Sequence, residues 1–337
     1  MAKATKVTIE DISRHTGLSR GTVSRALNDR PDISTQTKQR VLEACRTLNY
    51  SPSHAARSLA TGRSYAVAVL LDDLRSSFAH TLLSGVLTRA WQARYAVHVA
   101  ELGRAGAQAE EVIRAVVNER IDCALLAAPL EAHLLPVLRQ ALEDRPAASC
   151  ALLDGVRCDV FVPDQHESGR LVARHLAHYA GEALLYVHAP ERPGAHERLA
   201  GFQEVCRERG LPPHDLVFEL PEERPLADAT FCALSEHLQH ARAVAATDDF
   251  LALELGGWCA HVGRRPGHDI VLMGQGNEPA GARVTPRLTT TDFCGREIGR
   301  RALEAALARL DKTRMDAPQT TCVPPMLVVR DSTAPVG

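Results

Sequence analysis

No stretch of the chain reaches the roughly 18 consecutive apolar residues that a membrane helix needs, and Met1-Ala2-Lys3-Ala4-Thr5-Lys6 leads into polar sequence with no apolar core of a secretory signal. Membrane and secreted readings are set aside on this ground, and a cytoplasmic location is expected. No Cys-x-x-Cys occurs. The nine cysteines, an odd number scattered from Cys45 to Cys322, suit reduced and mostly buried side chains. A phosphate-cradling loop ending in Gly-Lys-Ser/Thr and a Gly-x-Ser-x-Gly nucleophile elbow are both missing. Gly274-Gln275-Gly276-Asn277-Glu278-Pro279 begins like a dinucleotide fingerprint but ends in proline. His175 and His178, or His237 and His240, sit three apart on expected helices, yet no third and fourth ligand lies near them in sequence, so solvated or half-buried histidines are the plainer reading. No metal, no cofactor and no enzymatic activity are expected.

What is present is an ordinary globular composition, 45% apolar and 24% charged over 337 residues, enough for two to three domains. That composition excludes disordered, collagen-like and disulfide-scaffold chains. The net charge of −2 hides an asymmetry. Residues 1–63 hold eleven Lys and Arg against five Asp and Glu, an excess of six positive charges. Residues 64–337 hold 28 basic and 36 acidic residues, an excess of eight negative charges. A small basic module on a large acidic one points to a polyanionic partner for the first alone.

Residues 1–50 are read as one domain, within which residues 8–48 divide into three short helical segments. Thr8-Ile9-Glu10-Asp11 has the shape of a capping box, a hydroxyl followed three residues later by an acid. Gly17 is the natural exit from that first helix. Ser19 caps a second helix running to about Asn28, before Pro31 and Asp32 break the chain. Ser34 caps a third, on which Val41, Leu42, Cys45 and Leu48 are expected to form one buried face. Ile9, Ile12, Leu18, Val23 and Leu27 supply the facing surface. Helix, glycine turn, helix and supporting helix is the helix-turn-helix plan. In that plan the second helix enters the major groove and its first residues meet base edges. Here these are Ser19, Arg20, Gly21, Thr22, Ser24 and Arg25, all able to point away from Val23 and Leu27. Arg20 or Arg25 is able to donate two hydrogen bonds to a guanine, about 1–3 kcal/mol of discrimination. Ser19, Thr22, Ser24 and the helix terminus at Thr8 suit phosphates, which fix register. The same pattern also suits a three-helix packing module with a solvated basic face.

Residues 51–63 are read as a hinge. Ser53-His54-Ala55-Ala56-Arg57-Ser58-Leu59-Ala60-Thr61-Gly62 is a helix too short to persist alone in water, because helices below about 12 residues are marginal. A segment helical only when docked is a linker whose folding is open to switching. Leu59 would be exposed on it, either to wedge between base steps in a minor groove or to pack on the next domain.

From Ser64 onward short apolar runs alternate with amphipathic stretches. Strands are expected at 66–71, 96–100, 123–128, 149–153, 184–187, 243–246 and 270–273. Helices are expected at 78–94, 107–119, 167–179, 197–209 and 250–262. This is the pattern of βαβ units with parallel sheets covered on both faces, and a break near Pro163-Asp164 suggests two α/β lobes. Ligands in such sheets sit at the carboxyl ends of strands. Asp72, ending the first strand, and Ser77-Phe78, opening the next helix, occupy that place. Phe78 is suited to stack on a flat ligand or to fill the lobe core.

Val7-Thr8-Ile9-Glu10-Asp11-Ile12, Gly17-Leu18-Ser19, Thr22-Val23-Ser24-Arg25-Ala26-Leu27-Asn28, Arg57-Ser58-Leu59-Ala60-Thr61-Gly62-Arg63 and Val328-Val329-Arg330-Asp331-Ser332-Thr333 resemble the lactose-repressor (LacI/GalR) family of bacterial transcription regulators. The resemblance implies a dimer reading a near-palindromic operator in double-stranded DNA, with contacts extending to Asn28, His54 and Ala56, and with paired hinge helices pushing Leu59 into a central minor-groove step. It implies an all-α helix-turn-helix headpiece followed by a two-lobed, periplasmic-binding-protein-like α/β domain. One lobe would take residues of about 64–162 and 292–320, the other about 164–290 and 322–331. The chain would cross between lobes near Pro163, Thr290-Thr291 and Thr321.

The same resemblance puts a small-molecule effector between the lobes, a sugar, sugar derivative or nucleoside. Asp72, Ser77 and Phe78 match a stretch that lines the family's pocket, and Arg198 matches an arginine that grips ligand oxygens, suited to a carboxylate, phosphate or vicinal diol. Thr247-Asp248 stands where the family usually has Asn-Asp. Gln275-Gly276-Asn277 stands where it has an aromatic residue followed by Asp-Asp, and Gly155 replaces a further arginine. Those departures argue against a free hexose and leave open a phosphorylated or acidic sugar, a nucleoside or base, a larger oligosaccharide, or no small effector. A regulator controlled by a protein partner, or by none, is the alternative. The residues after Thr333 contain no leucine heptad, so a dimer rather than a tetramer is expected.

Overall fold

The computed structural model describes residues 7–27, 30, 32–50, 58, 61–103, 105–118, 120–127, 130–142, 145–153, 156–180, 183–211, 216–221 and 228–333. It divides into two compact units, Met1–Tyr65 and Ala66–Gly337. In the first, α1 (Ile9–Thr16), α2 (Arg20–Leu27) and α3 (Thr35–Thr47) follow the capping signals closely. The Asp11 carboxylate accepts hydrogen bonds from the Thr8 N–H (2.9 Å) and Oγ1 (2.8 Å). The chain leaves α1 through Gly17 at φ 66°. Ser19 Oγ accepts the Thr22 N–H (3.1 Å) and Ser34 Oγ that of Thr37 (3.2 Å). Ile12, Val23, Ala26, Val41, Ala44 and Cys45 form the core, flanked by Ile9, Leu18, Leu27 and Leu48. Leu42 does not share the buried face expected for it: it is 48% exposed. The stripe of α3 runs through Val41, Ala44, Cys45 and Leu48, and Leu42 is turned about 100° off that line.

The second unit carries a six-stranded sheet in the order β11-β5-β4-β3-β1-β2, with β1 (Ala66–Leu71), β2 (Ala96–Glu101), β3 (Cys123–Ala127), β4 (Ala147–Ser149), β5 (Asp159–Pro163) and β11 (Thr320–Val323) all parallel. A four-stranded parallel sheet follows the order β7-β6-β8-β9, built from β6 (Leu184–His188), β7 (Val217–Glu219), β8 (Ala243–Ala246) and β9 (Val271–Met273). Both faces of β1 are buried. Ala66, Ala68 and Leu70 pack with α5 (Ala109–Asn118) and α6 (Leu134–Leu142), while Val67, Val69 and Leu71 pack with α4 (Ser77–Ala93) and α11 (Gly295–Leu310). This is why the strand reads as an unbroken apolar run. The smaller sheet is covered on one side by α7 (Gln165–Ala180) and α8 (Ala195–Glu208), and on the other by α9 (Asp228–His240) and α10 (Asp249–His261).

Three chain passages join the sheets. β5 runs into α7 at Asp164, whose Oδ1 accepts the Glu167 N–H at 2.9 Å. β10 (Thr290–Asp292) and β12 (Met326–Val328) pair antiparallel as the other two passages. The third passage lies a few residues later than the Thr321 anticipated. Thr320–Val323 pair in register with Val160–Pro163 and belong wholly to the larger sheet, so the chain leaves it at Pro324-Pro325, which lack donors to continue a ladder. The fourth strand lies at Ala147–Ser149 rather than 149–153, and 150–153 have already left the sheet.

Close helix contacts set the frame of the site. Gly169 on α7 and Gly201 on α8 face each other's backbones, and a Cβ on either would stand 1.8 or 1.9 Å from a carbonyl oxygen, of Arg198 or His166 respectively. Gly85 on α4 meets α11 in the same way, 1.9 Å from Arg296 O. Among the described residues no helix is long and apolar enough to cross a membrane.

Candidate DNA-binding face and effector cleft

On the first unit, Ser19, Arg20, Gly21 and Arg25 are exposed along α2, while Thr22 and Ser24 are half-buried. Arg20 Nε lies 3.2 Å from Glu10 Oε2, and Arg25 Nε lies 3.8 Å from Asp32 Oδ2, with every one of these side chains more than half exposed. Such pairs contribute at most about 1 kcal/mol, so both guanidinium groups are available to a stronger acceptor. Ser19 and Thr22 already share a hydrogen bond (2.9 Å), and Thr8 Oγ1 is bonded to Asp11. That leaves Thr8 a hydroxyl lone pair rather than its proton, and the Thr8 N–H first, then its hydroxyl, hold the Asp11 carboxyl below the usual range. Asn28, His54, Ala56 and Leu59 lie outside the described residues.

In the second unit the sequence-selected residues converge only in part. Asp72 is exposed at the end of β1, its carboxylate against Gly103. Ser77, the first residue of α4, is buried and donates its hydroxyl to Glu278 Oε2, reaching from the larger-sheet lobe to the loop after β9. Phe78 packs half-buried against the core of β1 and α4, the filling role rather than an open stacking face. Arg198, 2% exposed, gives Nη1 to Gln165 Oε1 (2.6 Å) and lies 5.4 Å from the centroid of the Phe293 ring. Burial pushes its pKa down, against the pull of Tyr186, Asp248 and Glu197. Asp248 caps α10 by accepting the Leu251 N–H (2.8 Å) and pairs with Arg192 Nε at 3.3 Å.

Thr247 is not a free ligand group. Its hydroxyl accepts the Ala189 N–H (2.9 Å) and donates to Val187 O (3.2 Å), stitching β8 to the end of β6. Gly276 sits at φ 122°, a conformation L side chains rarely adopt, so the acidic residue expected from the family pattern has no unstrained place there. Gln275, 1% exposed, accepts Ser168 Oγ (2.8 Å) and donates to Tyr186 OH (3.2 Å) and Ala246 O (3.1 Å). Asn277 is spent between Asp292 Oδ2 (2.8 Å) and Arg330 Nη2 (2.6 Å).

Two carboxyls not selected from the sequence matter more. Asp249 is fully buried, accepting Thr290 Oγ1 (2.6 Å) and the Glu278 N–H (2.7 Å), and burial pushes its pKa up to about 7. Glu278 is raised as well, by burial first, with Ser77 opposing. In the sequence Asp249 shows only as the neighbour of Asp248, and Glu278 only as a member of the glycine-rich stretch Gly274-Gln275-Gly276-Asn277-Glu278-Pro279. The chain Ser77–Glu278–Asp249–Thr290 links the two lobes to a crossing strand.

Residues 8–53 match the model of the bacterial regulatory proteins of the lacI family, and residues 162–333 match that of the periplasmic binding protein-like domain. The chain belongs to the lacI family. It is a DNA-binding transcription regulator with a periplasmic-binding-protein-like domain, and not an enzyme. It is 25% identical over 332 residues to the HTH-type transcriptional repressor PurR of Vibrio vulnificus (strain CMCP6), covering 96% of this chain and 98% of that one. It is 24% identical over 327 residues to the ribose operon repressor of Halalkalibacterium halodurans, covering 97% of each. The fold is that of the lac repressor dimer bound to operator and the anti-inducer ONPF (TM-score 0.72, 22% identity, 98% of this chain and 99% of that one). It is also that of a CelR–cellobiose complex (TM-score 0.67, 21% identity, 97% and 100%). At the positions where the sequence departs from the resemblance, the structure has a strand-bridging hydroxyl at Thr247, a buried amide at Gln275 and a bare backbone turn at Gly276.

Proposed function

We propose that the protein is a dimeric repressor that binds a near-palindromic operator through α2 and a folded hinge, and that a small polar effector in the cleft between its lobes sets that affinity. The carrying observation is the exposed face of Ser19, Arg20, Gly21 and Arg25 on a helix whose other side is fully committed to the headpiece core. The excess of positive charge in residues 1–63 supports the same reading. The effector would favour one interlobe arrangement, and so bias hinge folding by the difference in its affinity for the two states. DNA as partner puts the work of the protein in the cytoplasm. That the CelR structure holds cellobiose, and another lacI-family structure ribose, supports a small polar molecule as effector.

The test is paired. Arg25→Ala should weaken binding to the selected operator by roughly 1–3 kcal/mol with unchanged circular dichroism. Arg198→Ala should leave operator binding intact and abolish its response to whichever metabolite shifts it. A response that survives Arg198→Ala overturns the effector assignment. Operator binding that survives replacement of both Arg20 and Arg25 overturns the DNA assignment.

A further inference from the structure

Four side-chain nitrogens buried without a hydrogen-bond partner gather between His188 and Arg198, where β6 passes into α8: both ring nitrogens of His188, Arg192 Nε and Arg198 Nε. A buried polar atom left unpaired has lost its hydrogen bonds to water and gained none in return, so four on one eleven-residue connection call for a function rather than for packing alone. Resting on the effector reading above, we propose that this connection is a cradle for an anionic group, a carboxylate or a phosphate monoester of the effector, and that His188 is the residue selecting it.

His188 ends β6 in the row of Leu184 and Tyr186, on the side covered by α7 and α8, while Leu185 and Val187 face the opposite core. The imidazole is fully buried, 5.4 Å from the His196 ring and 6.2 Å from that of Tyr186. It has no structural bond to give up: its backbone is already pinned by Leu220 N–H to His188 O (2.7 Å). Arg198 keeps one Nη on Gln165 and leaves Nε open. Arg192 Nε makes no hydrogen bond but stands in ion-pair range of two carboxylates, Asp248 Oδ2 at 3.3 Å and Glu191 Oε1 at 3.6 Å, so an incoming anion would have to draw the guanidinium from them. Gly194, at φ 72°, has its Cβ position 2.7 Å from Gln165 Cδ and 3.0 Å from Arg198 Nη1, so the connection closes onto the Gln165–Arg198 pair. Two guanidinium N–H donors and the single N–H of an imidazole make charge-assisted hydrogen bonds to an anionic oxygen, stronger than those to the oxygen of a neutral sugar hydroxyl. Burial, then His196 and Arg198, press the imidazole toward its neutral form, with Glu219 and Glu191 pulling the other way.

The probes are the bare forms of the two anions, inorganic phosphate and malonate, with glucose as the neutral control, added to full-length protein at constant ionic strength and followed by thermal unfolding and calorimetry. One or both anions should raise Tm saturably, and glucose should not. His188→Leu keeps the bulk and removes both nitrogens. It should leave the free protein at least as stable and weaken the anion by about tenfold or more, whereas Arg25→Ala should leave anion binding unchanged. Phosphate without malonate assigns a phosphoester, and the reverse assigns a carboxylate. The proposal is overturned if neither anion shifts Tm, if glucose alone does, if His188→Leu binds the anion as wild type does, or if that variant is less stable while its anion affinity is unchanged. Binding of the selected operator by His188→Leu, measured without anion, separates these failures from a failure of the DNA-binding reading.

Discussion

Replacing Gly169 by alanine adds one methyl group where α7 and α8 cross, and it tests whether the helix crossing is what aims Arg198. The new Cβ would stand 1.8 Å from Arg198 O, 2.7 Å from Arg198 C and 2.9 Å from Phe202 N. These are backbone atoms, so no rotamer change relieves the overlap. A carbon–oxygen contact becomes tolerable near about 3.3 Å, which asks the helices to part by roughly 1.5 Å at this level. Overpacking of that kind costs about 1–3 kcal/mol. For a domain of this size each kcal/mol lowers Tm by about 2–4 °C, so a fall of roughly 5 °C is expected. The atom pushed first belongs to Arg198, so the effector response should drop more steeply than the stability does, while the headpiece, a separate compact unit, should keep its helical signal. The assay is thermal unfolding with and without effector, alongside operator binding, on the same preparations. Gly169→Ala with wild-type Tm and wild-type response would refute both the crossing argument and the aiming argument.

Three further outcomes are expected. Asp159 is fully buried against Arg309 (Nε 2.5 Å), Arg314 (3.1 Å) and the Gln319 N–H (3.1 Å). Burial raises its pKa, but Arg309, Gln319 and Arg314 together bring it below the ordinary value. Its stabilisation is therefore present above about pH 4 and fades as pH falls through the lowered value; Asp159→Asn should remove that acid limb and cost about 2–3 kcal/mol at neutral pH in denaturant titrations, less than a fully sealed pair because Arg314 reaches solvent. Asp249 runs the other way: with its folded pKa near 7 against a reference of 3.8, the folded state holds a proton that the unfolded state has lost, so stability should decline as pH rises from 4 to 7 and level off above. A wild-type profile flat across that window would sink the assignment, and Asp249→Ala should remove the slope. Leu59→Ala should lose operator preference more than nonspecific affinity in competition binding; equal losses would make Leu59 a packing residue.

How far the sequence could be read depended on the range of each interaction. Caps are local, so Thr8 with Asp11, Gly17, Ser19 and Ser34 were legible from spacing of three residues. Strands buried on both faces, such as Ala66–Leu71, were legible as apolar runs. Leu42 misled because an extra leucine beside a helical stripe looks like part of it. β5 and β11 were not among the expected strands, since each gains its identity only from pairing residues some 160 apart in sequence. The cleft was the least legible. Ser77 meets Glu278 across 201 residues, and nothing local marks Thr247 as a bridge between strands. His188 looked like any other of the fifteen histidines until its two unpaired nitrogens were seen beside Arg198.

The central claim, a dimer reading DNA through α2, is tested most directly by letting the full-length protein select from a randomised duplex pool and following the winning sequence against salt. The account predicts enrichment of a near-palindrome, with affinity falling steeply as salt rises because phosphates are neutralised. It also predicts relaxed preference at one base pair in each half-site for Arg25→Ala. No enriched sequence, with or without pooled metabolites, would contradict it.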